Sequence, residues 1–273
     1  MWKHFLKISC CILFITNSFY GSAQGAISGF YNNKGDANIV VGAGFEDSKN
    51  YYIGRVKSDL SRNLYSVSLF GIYGINDRLN VQASLPYLSS DEQNDFQDAQ
   101  FFLKYKALQK DWETDKLELS FATGFSFNLT NYNIGGLNDL GQQAKILETR
   151  ALLHYQKKSG WFVNLQSGFS FKFENIPNSF PLTLKFGKAS TKSYVDFWYD
   201  FQYAFGGIDY RGTPNPQDFR LLGVNYHKIG GTYHFSLSKK SGIYIAPSYV
   251  ISGRNVFSGF AYYVGWTYQI RHR

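Results

Sequence analysis

The chain has 273 residues, of which 44% are hydrophobic and 19% aromatic but only 18% charged, with a formal net charge of +8. Ordinary soluble domains carry about 25% charged residues, yet a mean hydropathy of -0.28 is far too polar for a bundle of membrane helices. The basic residues are dispersed, with no lysine or arginine cluster, so the composition gives no case for a nucleic-acid partner.

Lys3 and Lys7 form a positive start, Ile8 to Ile15 a short apolar core, and Gly21-Ser22-Ala23 a run of small residues suited to cleavage before Gln24. This is the pattern of a secretory signal peptide over residues 1–23, and its apolar run is too short to span a bilayer. Both cysteines, Cys10 and Cys11, lie within it, so the mature chain is expected to hold no disulfide. Residues 24–35 read as a short periplasmic leader, too small for a plug domain.

From Asp36 onward the chain follows a period of two. Ala37, Ile39, Val41, Ala43 and Phe45 share one face of a first strand ending at Asp47, with Gly42 and Gly44 on the other. Gly42-Ala43-Gly44 lacks the third glycine and the following helix of a nucleotide fingerprint, so it reads as small lumen-facing residues beside bulky neighbours. Tyr65, Val67, Leu69 and Tyr73 run into the turn chemistry of Gly74-Ile75-Asn76-Asp77-Arg78. Leu79, Val81, Ala83, Leu85 and Tyr87 then alternate with Asn80, Gln82 and Ser84, which makes a hairpin with one greasy and one wet face. After a polar loop to Gln97, Ala99, Phe101, Leu103 and Tyr105 alternate with Gln100, Phe102, Lys104 and Lys106, and Ala107 to Asp115 is the expected turn.

Eight further strands follow. Phe121, Phe125 and Phe127 oppose Glu118, Ser120 and Ser126, and beyond an Asn- and Gly-rich loop Leu147, Leu153 and Tyr155 oppose Glu148, Arg150 and His154. Trp161, Val163 and Leu165 oppose Asn164, Gln166 and Lys172, and a weaker strand covers Leu182 to Phe186. Val195, Phe197, Tyr199, Phe201, Tyr203 and Phe205 line one face opposite Asp196, Trp198 and Asp200, and must bury against something apolar and extensive. Tyr226 to Leu237, Ile243 to Ile251 and Phe260 to Ile270 complete the set.

About twelve strands result, with short turns near Asn76, Lys158, Thr191 and Ser241 at one end and longer loops at the other. The predicted fold class is all-β: a transmembrane, antiparallel, up-and-down β-barrel over residues 36–273, following a cleaved signal peptide and placed in the bacterial outer membrane. A soluble β-sandwich would require the aromatic faces to meet each other in place of lipid.

The stretch Tyr73-Gly74-Ile75-Asn76-Asp77-Arg78-Leu79, with Leu85-Pro86-Tyr87, Phe96-Gln97-Asp98-Ala99 and Lys104-Tyr105, resembles the outer-membrane family named for the meta pathway of phenol degradation. Gln97 stands where that family usually has glycine. The resemblance covers about forty residues closely and implies a barrel that transports aromatic or hydrophobic solutes. The last strand resembles the C-terminal signal read by the barrel assembly machinery, although the chain ends Arg271-His272-Arg273 where a terminal aromatic is usual.

On the inward face the candidates are Lys104, Glu118, Glu148, Arg150, Lys172, Asp196, Trp198 and Asp200, with Phe102, Tyr244 and Tyr263 beside them. The charges either pair with each other to hold the wall and narrow the pore, or line a path that selects solutes by charge and size. The aromatics either fill space or stack on an aromatic solute. Partners expected are outer-membrane lipids and lipopolysaccharide, the assembly machinery and a small-molecule solute taken by passive diffusion, with no cofactor. Two other readings remain open: a closed structural or binding barrel, and a lipid hydrolase using His234 and Ser236, which share a strand face as a Ser-His pair must. No nucleophile elbow, phosphate loop or metal motif accompanies that pair.

Overall fold

A computed structural model describes residues 27–136, 138–212 and 219–272; the signal segment 1–23 and residues 24–26 lie outside the described residues. The strands are β1 (Ala37–Ile53), β2 (Val56–Ser58), β3 (Arg62–Asn76), β4 (Leu79–Ser89), β5 (Asn94–Phe96), β6 (Ala99–Asp111) and β7 (Asp115–Phe127). They continue as β8 (Ile146–Lys157), β9 (Trp161–Lys172), β10 (Ser179–Ala189), β11 (Ser193–Ala204), β12 (Asn225–Ser236), β13 (Ser241–Arg254) and β14 (Phe257–Ile270). β2 and β5 are short additions to the loop ends of β1 and β4. The other twelve pair antiparallel with their neighbours in chain order. β14 then pairs with β1 from Ala37↔Ile270 to Tyr51↔Phe257, which closes the sheet into a cylinder without an edge.

Burial is inverted relative to a soluble protein. Phe121 at the centre of β7 is 52% exposed, while Glu118, Ser120 and Ser126 of the same strand are buried. The same inversion holds for Val195 and Phe197 against Asp196, and for Val163 and Leu165 against Asn164 and Gln166. An apolar belt around a closed, polar-walled cylinder suits lipid outside and a lumen inside. Rings gather at both rims of the belt: Trp161 stacks on Phe186 and Trp266 on Tyr268 at the short-turn end, and Phe169 stacks on Phe205 at the other. Such girdles mark the two membrane–water boundaries. Among the described residues no helix is long and apolar enough to cross a membrane.

Two expected strand ends move, each because of a β-bulge. The register shift between Lys106 and Leu108 absorbs Ala107, so β6 and β7 stay paired past the expected turn to Asp111↔Lys116. A second shift between Ser48 and Asn50 carries β1 beyond Asp47 to Ile53.

If the outward face meets hydrocarbon, Phe121→Arg at mid-strand should lower barrel stability by about 2–4 kcal/mol. Denaturant titration of the protein refolded in phospholipid vesicles measures this, and an unchanged midpoint would contradict the inside–outside assignment.

Candidate functional site

The leader does not stay outside the barrel. It was expected to be a short periplasmic leader, too small for a plug domain; it forms no such domain, but a twelve-stranded cylinder leaves room for a single extended segment. The chain reverses at Gly35, whose φ of +81° suits glycine, and runs back into the lumen from the short-turn end. The reversal is clamped to β3 by Gly35 N–H donating to Gly74 O (2.7 Å) and Gly74 N–H to Asp36 O (2.9 Å). Asn32 follows, donating from Nδ2 to Ile72 O at 3.1 Å and accepting from Asn38 Nδ2 at 2.9 Å.

Lys104 of β6 is the principal anchor. Its side chain is 1% exposed, and Nζ donates to the carbonyls of Ser28 (2.8 Å) and Phe30 (2.7 Å) while lying 3.7 Å from the centre of the Tyr31 ring. A buried ammonium needs its three donors met, and the leader meets them. Gln166 Nε2 donates to Ile27 O (2.7 Å), Ser28 N–H donates to Gln82 Oε1 (2.9 Å), and the Tyr31 hydroxyl donates to Ser120 Oγ (2.8 Å). Ile27 is wholly buried among Phe102, Ala122 and Leu152. Phe30 packs with Phe162, Ala189 and Tyr194 and meets the His154 ring at a steep angle.

The other sequence-derived candidates occupy the same wall. Glu118 is buried between Lys106 (3.1 Å) and Lys116 (3.5 Å), close beneath the leader. Glu148 accepts both Nε and Nη2 of Arg150, at 3.0 and 2.7 Å. Asp196 accepts the Tyr194 hydroxyl at 2.6 Å, and Asp200 accepts the Thr183 hydroxyl. Lys172 is half-buried at the loop end of β9. Trp198 is 0% exposed and lies flat over Gly230, with Lys228 Nζ 5.8 Å from its ring. The Tyr263 ring covers Gly44 in the same way, and Tyr244 sets its ring over Gly265 and its hydroxyl against Gly42, so these glycines make room for inward rings.

The loop between β7 and β8 folds into the opposite mouth. Tyr132 and Leu140 pack on Leu88, with Leu64 and Ile134 alongside. The Tyr132 hydroxyl donates to Asp98 (2.8 Å), and Arg62 Nη1 donates to Asp139 O (3.2 Å). Burial pushes the Asp98 carboxyl above its ordinary value, partly opposed by that hydroxyl. Gln142 Nε2 crosses to Phe219 O (3.2 Å) in the loop between β11 and β12, and Arg220 bridges back to Gln143 (3.1 Å) and Glu174 (3.4 Å). The Lys145 ammonium, 2.7 Å from Glu174, holds that exposed carboxyl below its ordinary value. Asn255 fastens another part of the same mouth, accepting from Gly54 and Tyr210 N–H and donating to Ile208 and Gly223 carbonyls.

His234 and Ser236 do not form a nucleophilic pair. His234 Nε2 bonds to Thr267 Oγ1 (2.9 Å) across the inner wall near the short turns, and the buried Ser236 hydroxyl makes no bond to it. A lipid hydrolase needs this pair joined and facing lipid. Among the described residues no group of three or more His, Cys, Asp or Glu is placed to hold a metal ion.

Sequence reasoning missed Ile27, Phe30 and Tyr132. The available signal was apolarity out of place: Ile27, Phe30 and Tyr31 are bulky residues in a segment assigned to water.

A closed antiparallel cylinder with an apolar belt, ring girdles and a polar wall defines a transmembrane β-barrel of the bacterial outer membrane. Solved structures agree on that architecture. The crystal structure of an outer membrane channel from Pseudomonas putida F1 superposes with a TM-score of 0.68 at 15% identity, covering 89% of this chain and 99% of that one. The NanC porin gives 0.55 at 10% identity (85% and 100% covered), and the KdgM porin 0.50 at 11% (86% and 99%). At these identities the likeness is one of fold. No protein-family model matches the chain, and no curated protein matches its sequence.

Lys104→Met keeps the length of the anchor and removes its bonds to the leader. Because hydrogen bonds to a charged group contribute about 1.5–3 kcal/mol each, amide exchange at Ser28 and Phe30 should quicken by roughly tenfold or more while exchange within β6 stays unchanged. Unaltered leader exchange would show that the segment is held elsewhere.

Proposed function

We propose that the barrel is a passive outer-membrane channel for small solutes, with a preference for hydrophobic or aromatic ones, whose conductance is set by the leader and the mouth loops. The observation that carries this reading is the identity of what fills the cylinder. In the short-turn half the leader lies among the wall side chains, and beyond its backbone clamp at Gly35 and Asp36 it is joined to them through side-chain bonds and apolar contacts. Such a segment can leave without unpairing a strand, so the lumen can open. The architecture shared with the Pseudomonas putida channel and the two porins supports a channel role, and the sequence resemblance around Tyr73–Leu79 and Phe96–Ala99 supports the aromatic preference.

Diffusion down a gradient needs no energy source and no cofactor. Glu148–Arg150, Lys172, Asp196 and Asp200 would present fixed charges of both signs to a passing solute, which favours neutral molecules over ions of either sign. Lipids and lipopolysaccharide would surround the belt, and the assembly machinery would receive β14.

A closed structural barrel is the competing reading, favoured by the bonds that tie the mouth loops together. Planar-bilayer recordings separate the two. Ile27→Ser with Phe30→Ser removes the apolar hold on the leader, about 1.5–3 kcal/mol for each side chain, and should raise single-channel conductance several-fold in a barrel that remains heat-modifiable. Liposome swelling should then favour a phenolic glucoside over a sugar of equal size. Silence from both the wild type and the double variant would establish the closed barrel.

A further inference from the structure

The inner wall carries a feature that stoppering does not require. His154 of β8, Phe162 of β9 and Tyr194 of β11 lie in a row with nearly parallel rings, 28° between the first pair and 20° between the second, at centroid spacings of 5.7 and 5.5 Å. The row runs unbroken because β10, the strand between Phe162 and Tyr194, contributes Gly187, where any Cβ would crowd Phe162. Phe30 of the leader stands on this shelf. Its ring meets all three at 71–78°, with centroids 4.7, 5.1 and 6.2 Å away. Steep contacts of this kind suit the opposite charges of an aromatic edge and an aromatic face.

Beside the shelf are polar groups that Phe30 cannot use. Nδ1 of the buried His154 ring and Nδ2 of buried Asn164, directly across the β8–β9 ladder, find no hydrogen-bond partner. Both converge on one spot: a Cβ at Gly29 would stand 3.0 Å from Asn164 Nδ2 and 3.1 Å from His154 Nδ1. Buried donors and acceptors ordinarily find partners, and leaving them without one is unfavourable. A phenyl side chain satisfies the shelf and leaves this polar corner unmet.

We infer that the His154–Phe162–Tyr194 shelf is a binding site for an aromatic ring that carries a hydroxymethyl or hydroxyl group, and that Phe30 occupies it as the chain's own stand-in. The hydroxyl would donate to an imidazole nitrogen and accept from Asn164 Nδ2, while the ring takes the place of the Phe30 ring. A saturated ring of equal size fills the volume but loses the edge-to-face contacts, and an unsubstituted aromatic leaves the polar corner unmet. Binding displaces Phe30 and so loosens the leader, which links recognition to opening. The inference rests on the aromatic preference proposed above, but its binding step can be measured without transport.

The test uses the full chain carrying Ser28→Cys, purified from the outer membrane after loss of Cys10 and Cys11 with the signal segment. Labelling by a small maleimide is followed with and without benzyl alcohol, with cyclohexylmethanol and toluene as matched controls. Benzyl alcohol should accelerate labelling at least threefold, and the two controls clearly less. Phe162→Leu or Tyr194→Leu should abolish the acceleration, and Phe30→Leu should lower the half-maximal benzyl alcohol concentration several-fold. No acceleration by benzyl alcohol, or equal acceleration by cyclohexylmethanol, overturns the inference. Swelling with the phenolic glucoside is measured in parallel. Labelling that responds while nothing permeates keeps the shelf and discards the channel, and permeation without a labelling response does the reverse.

Discussion

In hydrocarbon no backbone N–H or C=O can be left bare, and the pairing of β1 with β14 is what meets that demand here. Once the sheet must close, much else follows. Alternate residues face lipid and lumen, so each strand needs an apolar side and a side able to live with water or with other polar groups. Closure also leaves a cylinder too wide for wall side chains alone to fill, and a segment of chain takes up part of the space.

That constraint explains why the strands were legible in the sequence. Period two over Leu117 to Phe127 or Trp161 to Lys172 admits one assignment of faces, because slipping by a single residue would put Glu118 or Asn164 in lipid. The bulges at Ala107 and Lys49 were not legible, since an inserted residue breaks the alternation just as a turn does. Polar wall residues could be assigned to the inward face but not to a role. The alternation places Lys104 inside without revealing that its partners are the carbonyls of Ser28 and Phe30, more than seventy residues away.

The leader and the β7–β8 loop escaped for a different reason. Neither has a period, and each is held by contacts scattered over many strands, so no window of sequence contains both partners. What the sequence did contain was misplaced apolarity: Ile27 and Phe30 in the leader, Tyr132 and Leu140 in a loop otherwise rich in Asn and Gly. In a chain whose exterior is lipid, an apolar residue outside the strands has two homes, the membrane surface and the lumen. These four take the second.

The C-terminal end of the described chain meets the leader's reversal at one rim, where His272 N–H donates to Asp36 at 3.0 Å and Gly35 lies against the His272 side chain. The leader's partners are spread around the cylinder, from Ile72 on β3 through Gln82, Lys104, Ser120, His154 and Gln166 to Tyr194 on β11. A flat or half-curled sheet cannot bring these residues round a single thread. The leader can therefore take up its full set of partners only when the sheet is curled, so a seated leader reports a closed wall.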